Sequence, residues 1–184
     1  MDTRPGELNA RAAEDLVMDG ALAGQWVLEP RTSSVRLKSK SIGGLVPVHG
    51  VFREVSGSGT VSADGAVGGT LTVVAASIDT KQAKRDTHLR SADFFDTANH
   101  PDITFTADGI QPSGHGVTVT GSLTVRGRTR PMSFDAVASV RGDGEVWLDA
   151  EVRVNRADFG LTWNRLGLIS MANDLTIHAV FTRR

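Results

Sequence analysis

The segment VTVTGSLTVR, residues 117–126, alternates small or apolar side chains with polar ones. A period of two is typical of a β-strand with one buried and one exposed face. The same alternation returns in residues 145–154 and 175–182, and in shorter form in residues 103–108. Turn signals such as Asp64-Gly65 separate these runs. We therefore predict about eight short strands joined mainly by tight turns.

So many short strands with one polar face require a closed barrel or two packed sheets, because open sheet edges promote aggregation. We predict an all-β barrel, with a sandwich of two closely packed sheets as the alternative at this point. A chain of 184 residues suits one domain. We assign that domain to residues 25–184. The preceding extension, residues 1–24, carries apolar residues four apart that favour a short N-terminal helix: Leu8, Ala12 and Leu16.

Two stretches interrupt the strand pattern. Residues 79–99 carry polar, charged and aromatic residues at helix-like spacing, so we expect one or two helical turns across one end of the barrel. Phe94 and Phe95 lie within this stretch and cannot face the same way, so at most one should plug the barrel, either as a gate or as ordinary core. Residues 156–170 are apolar with few charges, which is typical of a loop that covers something.

The apolar faces of the strands contain many small residues. A small barrel that fills itself with side chains needs bulk at most inward positions, whereas a barrel of about eight strands can also hold one small ligand. Small inward residues therefore predict a tunnel, and its scarcity of polar groups favours a hydrocarbon chain over a sugar or nucleotide. The small residues on the apolar faces are Ala75, Ala107, Gly121, Ala136, Ala138, Ala150 and Ala179.

Composition excludes several classes of function. The formal net charge of −1 indicates no bias towards nucleic acid or an anionic membrane. The chain has no cysteine, which removes disulfides, thiolate nucleophiles and cysteine-bound zinc. Its first residues lack the apolar run of a signal peptide or membrane span. We therefore expect a cytoplasmic protein with no metal site and no stable membrane insertion.

The densest group of titratable residues is Arg85, Asp86 and His88. A histidine beside an acid could act as a general base, so one hypothesis is an enzyme in which Asp86 orients His88. No triad spacing, paired apolar carboxylates or metal-ligand spacing accompanies these residues. Structural bracing of the helical segment by Arg85 and Asp86 is favoured instead. We predict no catalytic residues and a protein that is not an enzyme.

Residues 85–96, RDTHLRSADFFD, followed by HPDITF at 100–105, resemble the signature of the YceI-like, polyisoprenoid-binding family. Further similar positions follow in the family's order: Trp26, Glu29-Pro30, Ser33, residues 48–52, residues 77–80, residues 121–127 and residues 156–161. The resemblance implies an extended, lipocalin-like antiparallel barrel of eight strands with a helical segment, commonly dimeric, that encloses an isoprenoid or fatty chain. Thr32 and Ser41 stand where the family often has histidine, which weakens the case for head-group contacts there.

Together these observations predict that the barrel binds, sequesters or transports a long apolar ligand: a polyisoprenoid, an isoprenoid quinone or a fatty-acid-like lipid. We expect a homodimer without cofactor. An enzyme that uses His88 and Asp86, and a ligand-free structural or stress-related barrel, remain alternatives. Possible head-group contacts are Arg85, Asp86 and His88. The predicted ligand-binding residues are Trp26, Leu37, Phe52, Leu89, Phe94, Phe95, Phe105, Leu123, Phe134, Ala138, Leu148, Phe159, Leu161, Trp163, Ile177 and Ala179.

Overall fold

The computed structural model describes residues 20–114, 116–141 and 144–184. Strands dominate it, and one α-helix, α1 (Ala83–Arg90), precedes a run of turns. Short 3-10 helices span Ala75–Ser77, Arg156–Phe159 and Arg165–Gly167. The strands are β1 (Gly24–Leu28), β2 (Ser34–Ser41), β3 (Val46–Phe52), β4 (Val55–Val61), β5 (Val67–Val74), β6 (Ile78–Asp79), β7 (Asp102–Ser113), β8 (Gly116–Val125), β9 (Arg128–Arg141), β10 (Glu145–Asn155) and β11 (Ala172–Arg183).

Eight of these strands close into an antiparallel barrel in the order β1-β4-β5-β7-β8-β9-β10-β11, because β11 pairs with β1 again. The predicted eight-stranded barrel, with a short helix at one end, is confirmed. Because the sheet closes on itself, the alternative of two separate packed sheets is wrong. The predicted N-terminal helix lies outside the described residues, and the domain boundary at residue 24 stays a prediction.

The remaining strands extend the wall at one end of the barrel. The first half of β11 pairs with β2, with Leu175 opposite Leu37, while its last residues pair with β1. β3 follows β2, and β6 adds a short edge. The β2–β3 hairpin therefore projects beyond the barrel at the end where β11 begins.

The two ends of the barrel differ in their connections. At the turn end lie the hairpin connections β4–β5, β7–β8 and β9–β10, and the start of β1. At the helical end lie α1, the tight β8–β9 turn at Arg126-Gly127, and residues 156–171. Antiparallel pairing requires this separation, since each hairpin returns the chain to the end from which it came.

Candidate functional site: an apolar cavity in the barrel

A cavity of about 320 Å³ lies inside the barrel, and each of the eight barrel strands contributes to its lining. It extends to the turn end, where Asp64, Gly65, Pro112 and Val140 line it. The polar residues among its lining are few, namely Ser58, Thr60, Asp64, Thr70 and Ser139. Such a cavity has the size and the mainly apolar character of a small-molecule site.

One wall of the cavity includes a row of small residues that ends at Trp26. Strand register places Trp26, Gly59, Gly69, Ala107 and Gly121 in one row across five neighbouring strands. A β-carbon at Gly121 would collide with the Thr106 carbonyl oxygen and the Phe105 ring. Close strand approach and the Phe105 ring thus require glycine at position 121. Gly59, Gly69 and Ala107 do line the cavity, and their small size leaves space in the interior.

The facing wall is lined by alanines. Ala136 of β9 pairs with Ala150 of β10, and Leu148 lies between Ala138 and Ala179 in a second row. All five side chains line the cavity. Small residues on both walls leave a space that the barrel does not fill itself.

Trp26 presents an apolar surface to the cavity although it is an aromatic residue with a polar group. Its indole Nε1 donates a hydrogen bond to the Leu22 carbonyl oxygen at 2.9 Å. The Arg183 guanidinium lies 5.1 Å from the ring centroid. Because its N–H already has a partner, Trp26 offers only its ring carbons to a ligand.

The helical end is filled with side chains instead. Phe94, Phe159 and Leu161 form a buried cluster with Leu123 and Val125 near the end of β8. Phe95 faces another way and packs its ring 6.0 Å from that of Phe52, edge to face. The prediction that the two adjacent phenylalanines diverge therefore agrees with the observed packing.

Arg156 holds the covering segment of residues 156–171 in place. Its side chain donates hydrogen bonds to the carbonyl oxygens of Ser170 at 3.0 Å, Leu161 at 2.6 Å and Trp163 at 2.9 Å. Only 7% of the residue is exposed. Burial lowers the pKa of this guanidinium from its ordinary value. A cation with several backbone partners acts here as a clamp for the loop.

Arg85 and Asp86 bind Thr80. The Thr80 amide and hydroxyl donate to the Asp86 carboxylate at 3.0 and 2.5 Å, and Arg85 Nε donates to the Thr80 hydroxyl at 2.7 Å. Asp86 and Thr80 are buried. These bonds connect the first turn of α1 to the end of β6, which is the bracing role that the sequence favoured.

His88 does not pair with Asp86. Its Nε2 lies 2.8 Å from the Asp93 carboxylate, and its ring packs edge-on against Trp163 at 4.5 Å between centroids. The Asp86 carboxylate accepts from Thr80 instead. The acid and base of the hypothetical enzyme are therefore held by different partners.

The structure divides the sixteen predicted ligand-binding residues into two equal groups. Half line the cavity: Trp26, Phe105, Leu123, Phe134, Ala138, Leu148, Ile177 and Ala179. The other half pack in the cores near the helical end: Leu37, Phe52, Leu89, Phe94, Phe95, Phe159, Leu161 and Trp163. Arg85, Asp86 and His88 belong to α1 at that same end. Ligand contact by any of these residues stays a prediction.

Sequence reasoning did not name several lining residues. Gly59 and Gly69 lie in strands whose alternation is obscured by glycine, and Leu22 precedes the first strand. Others share the alternation already noted and could have been named from it: Val117, Val119, Val146, Val152, Leu175 and Phe181.

Within the described ranges, no three residues among His, Cys, Asp and Glu come together to hold a metal ion. No helix in the part of the chain that the structure describes combines the length and apolarity needed to cross a bilayer.

Similar proteins share this barrel. BcnA of Burkholderia cenocepacia superposes with a TM-score of 0.77 at 23% identity, covering 84% of this chain and 99% of that one. A polyisoprenoid-binding domain from Saccharophagus degradans, implicated in plant cell wall breakdown, gives a TM-score of 0.71 at 16% identity, covering 86% and 98%. Both show the fold.

Sequence comparison is more specific. Protein YceI of Escherichia coli O17:K52:H18 is 33% identical over 138 residues, which cover 71% of each chain. The family model described as the YceI-like domain matches residues 26–182, nearly the whole described barrel. The chain therefore belongs to the YceI-like domain family.

Proposed function

We propose that this protein binds one long apolar ligand, a polyisoprenoid, isoprenoid quinone or fatty-acid-like lipid, inside the barrel. The observation that carries the proposal is the cavity itself, which small inward residues leave open and which apolar side chains from every barrel strand line. The polyisoprenoid-binding domain with the same fold supports this class of ligand.

Burial of hydrocarbon supplies enough free energy for such binding without a polar anchor. Each CH₂ group transferred from water contributes about 0.8 kcal/mol, so ten groups contribute about 8 kcal/mol before association costs are subtracted. Since little in the lining can distinguish one hydrocarbon from another, we expect broad specificity for the chain.

The ligand enters and places its polar head at the turn end in this proposal. Asp64 and Ser139 line the cavity there, whereas Phe94 and Phe159 fill the helical end. Head-group contacts by Arg85, Asp86 and His88 would require the ligand to pass that aromatic cluster. The two placements predict different effects of substitution, because only the second makes binding depend on His88.

The proposed role is sequestration or transport, without catalysis. His88 packs at the helical end and is absent from the cavity lining, so substitution of His88 by Ala should leave ligand binding intact. The homodimer and the cytoplasmic location stay predictions, which light scattering and fractionation of cells test directly.

Native mass spectrometry of protein purified without detergent, followed by organic extraction, tests the proposal. We expect a stoichiometric lipid, or uptake of added polyprenol or fatty acid by an empty protein. Ala138→Trp and Ala179→Trp should each weaken uptake at least about tenfold, because the indole occupies the cavity. Val137→Trp is the matched control, since Val137 is the outward neighbour of Ala138 and is 58% exposed.

An empty protein that takes up neither compound would contradict the proposal and favour a ligand-free barrel. Equal uptake by Ala138→Trp and Val137→Trp would place the ligand outside the cavity. Thermal melts of each variant separate a blocked cavity from a damaged fold.

A further inference from the structure

Large apolar side chains are exposed together at the helical end. Ile42, Leu45 and Val46 at the β2–β3 hairpin are 53%, 81% and 43% exposed, and Leu166 and Leu168 are 83% and 40% exposed. We name these five residues the apolar tip. Of the exposed large hydrophobics within the described ranges, only Val27 and Val137 lie elsewhere. Such concentration in one place is typical of an interaction surface rather than of ordinary surface variation.

Hydrogen bonds join the two segments into one surface. The Gly43 amide donates to the Leu168 carbonyl oxygen at 3.1 Å, and the Ser170 amide donates to the Lys40 carbonyl oxygen at 2.9 Å. Both segments contain a non-glycine residue with positive φ, Ile42 at 53° and Leu166 at 62°. At both places the backbone adopts a left-handed conformation that few residues other than glycine favour. The side chains of Ile42 and Leu166 are nevertheless exposed to solvent.

The charged residues that flank the tip along the chain are cationic. No Asp or Glu occurs in residues 30–53 or 159–173. Lys38 and Lys40 are exposed on β2, which leads into the hairpin, and Arg165 is exposed beside Leu166. Asp174 lies opposite Lys38 on β11, but Arg153 binds its carboxylate at 2.8 Å. These two stretches thus carry cations and no anions although the whole chain is nearly neutral.

We propose that the apolar tip and its flanking lysines dock this protein on a lipid surface that carries anionic head groups. Apolar side chains enter the boundary between head groups and acyl chains, and lysines above them meet the negative surface. A second copy fits less well, since a two-fold contact through the same surface would bring like charges together. Docking at the helical end holds the turn end of the cavity away from the lipid.

The proposal is independent of what the cavity binds, and vesicle sedimentation tests it. The intact protein should sediment with vesicles of phosphatidylcholine and phosphatidylglycerol at low salt, and less with phosphatidylcholine alone or at high salt. Leu45→Asp combined with Leu166→Asp should weaken binding at least about tenfold. Val27→Asp combined with Val137→Asp is the control, because it adds the same charge at exposed apolar sites outside the tip.

The lysines provide a second measurement. Lys38→Gln combined with Lys40→Gln should weaken binding to the anionic vesicles about tenfold and reduce its dependence on salt. Melting temperatures of all variants report whether the fold is intact.

Three results would overturn the proposal. The first is an intact protein that does not sediment with anionic vesicles at low salt. The second is an equal loss of binding in the tip pair and in the control pair. The third is a dimer in solution that the tip pair abolishes without any vesicle binding, which would make this surface a contact between copies.

Discussion

The turn end and the helical end of the barrel are built on the same strands and differ in what fills them. At the turn end, inward positions such as Gly69, Ala107 and Ala138 leave a cavity. At the helical end, Phe94 and Phe159 fill the corresponding space. The backbone makes a barrel in both places, so the size of the inward side chains decides which part of a strand packs and which part can receive a ligand.

The largest expected effect is a loss of stability when a buried ring is removed from the helical end. Phe159→Ala should lower the free energy of unfolding by about 4 kcal/mol, because a buried ring is replaced by a void. Phe134→Ala, at the cavity lining, should cost about half as much, since that ring already borders empty space. Urea denaturation measures both. Equal losses would mean that the two ends are packed alike.

Arg156→Ala tests the clamp on the covering segment. It removes hydrogen bonds to three carbonyl oxygens, so we expect a loss of about 3 kcal/mol and a melting temperature lower by roughly 6 to 12 °C. Arg153→Ala removes an exposed ion pair with Asp174 and should change stability little, because exposed ion pairs contribute little. A similar cost for both variants would show that burial of Arg156 contributes nothing.

Enlarging one alanine at each end tests how tightly that end is packed. Ala75 is fully buried beside the helical end, so Ala75→Leu should destabilise the protein by about 2 kcal/mol through overpacking. Ala138→Leu fills part of the cavity and should change stability by less than about 1 kcal/mol, in the stabilising direction. Thermal melts of ligand-free protein are the measurement. If Ala138→Leu destabilises as much as Ala75→Leu, the cavity is not empty.

Acid should produce the smallest effect. Hydrogen bonding with Arg53 and then Lys81 holds the pKa of Asp79 well below its ordinary value of 3.8. A carboxyl pKa that is lower in the folded state stabilises the fold at pH values above the ordinary pKa, and this contribution is lost as the pH falls towards the pKa of the folded state. Asp79→Asn should therefore lower the melting temperature slightly near neutral pH but not in strong acid. A difference that persists unchanged in acid would exclude the charge as its cause.

Periodicity predicted the architecture well because alternation reports which face of a strand is buried. The inward placement of Ala138, Ala179 and Leu148 follows from this rule, and the structure agrees with it. Alternation does not report how far along the barrel an inward residue lies. The sequence predicts ligand contact for Phe159 and Trp163 as well as for Phe105. The structure packs Phe159 and Trp163 in the cluster at the helical end, beside the lining residue Leu123 but outside the lining itself.

The sequence pattern also does not predict which side chains pair with each other within the helical segment. Asp86 and Asp93 are both close to His88 along the chain. In the folded segment Asp93 lies within hydrogen-bond distance of the imidazole, whereas the Asp86 carboxylate accepts a hydrogen bond from Thr80. Net charge does not predict the charge of the tip, since it averages over the chain, whereas residues 30–53 and 159–173 contain cations and no anions.

Residue size and alternation are local properties of each strand, so the sequence predicts short strands whose inner faces carry small, apolar residues. Tertiary structure alone decided that the cavity reaches the turn end, that aromatic residues close the other end, and that two distant segments share one exposed apolar tip. The physical reason is register. Strand pairing and its shift between Ala107 and Gly109 set the height of every side chain along the barrel, and no single strand contains that information.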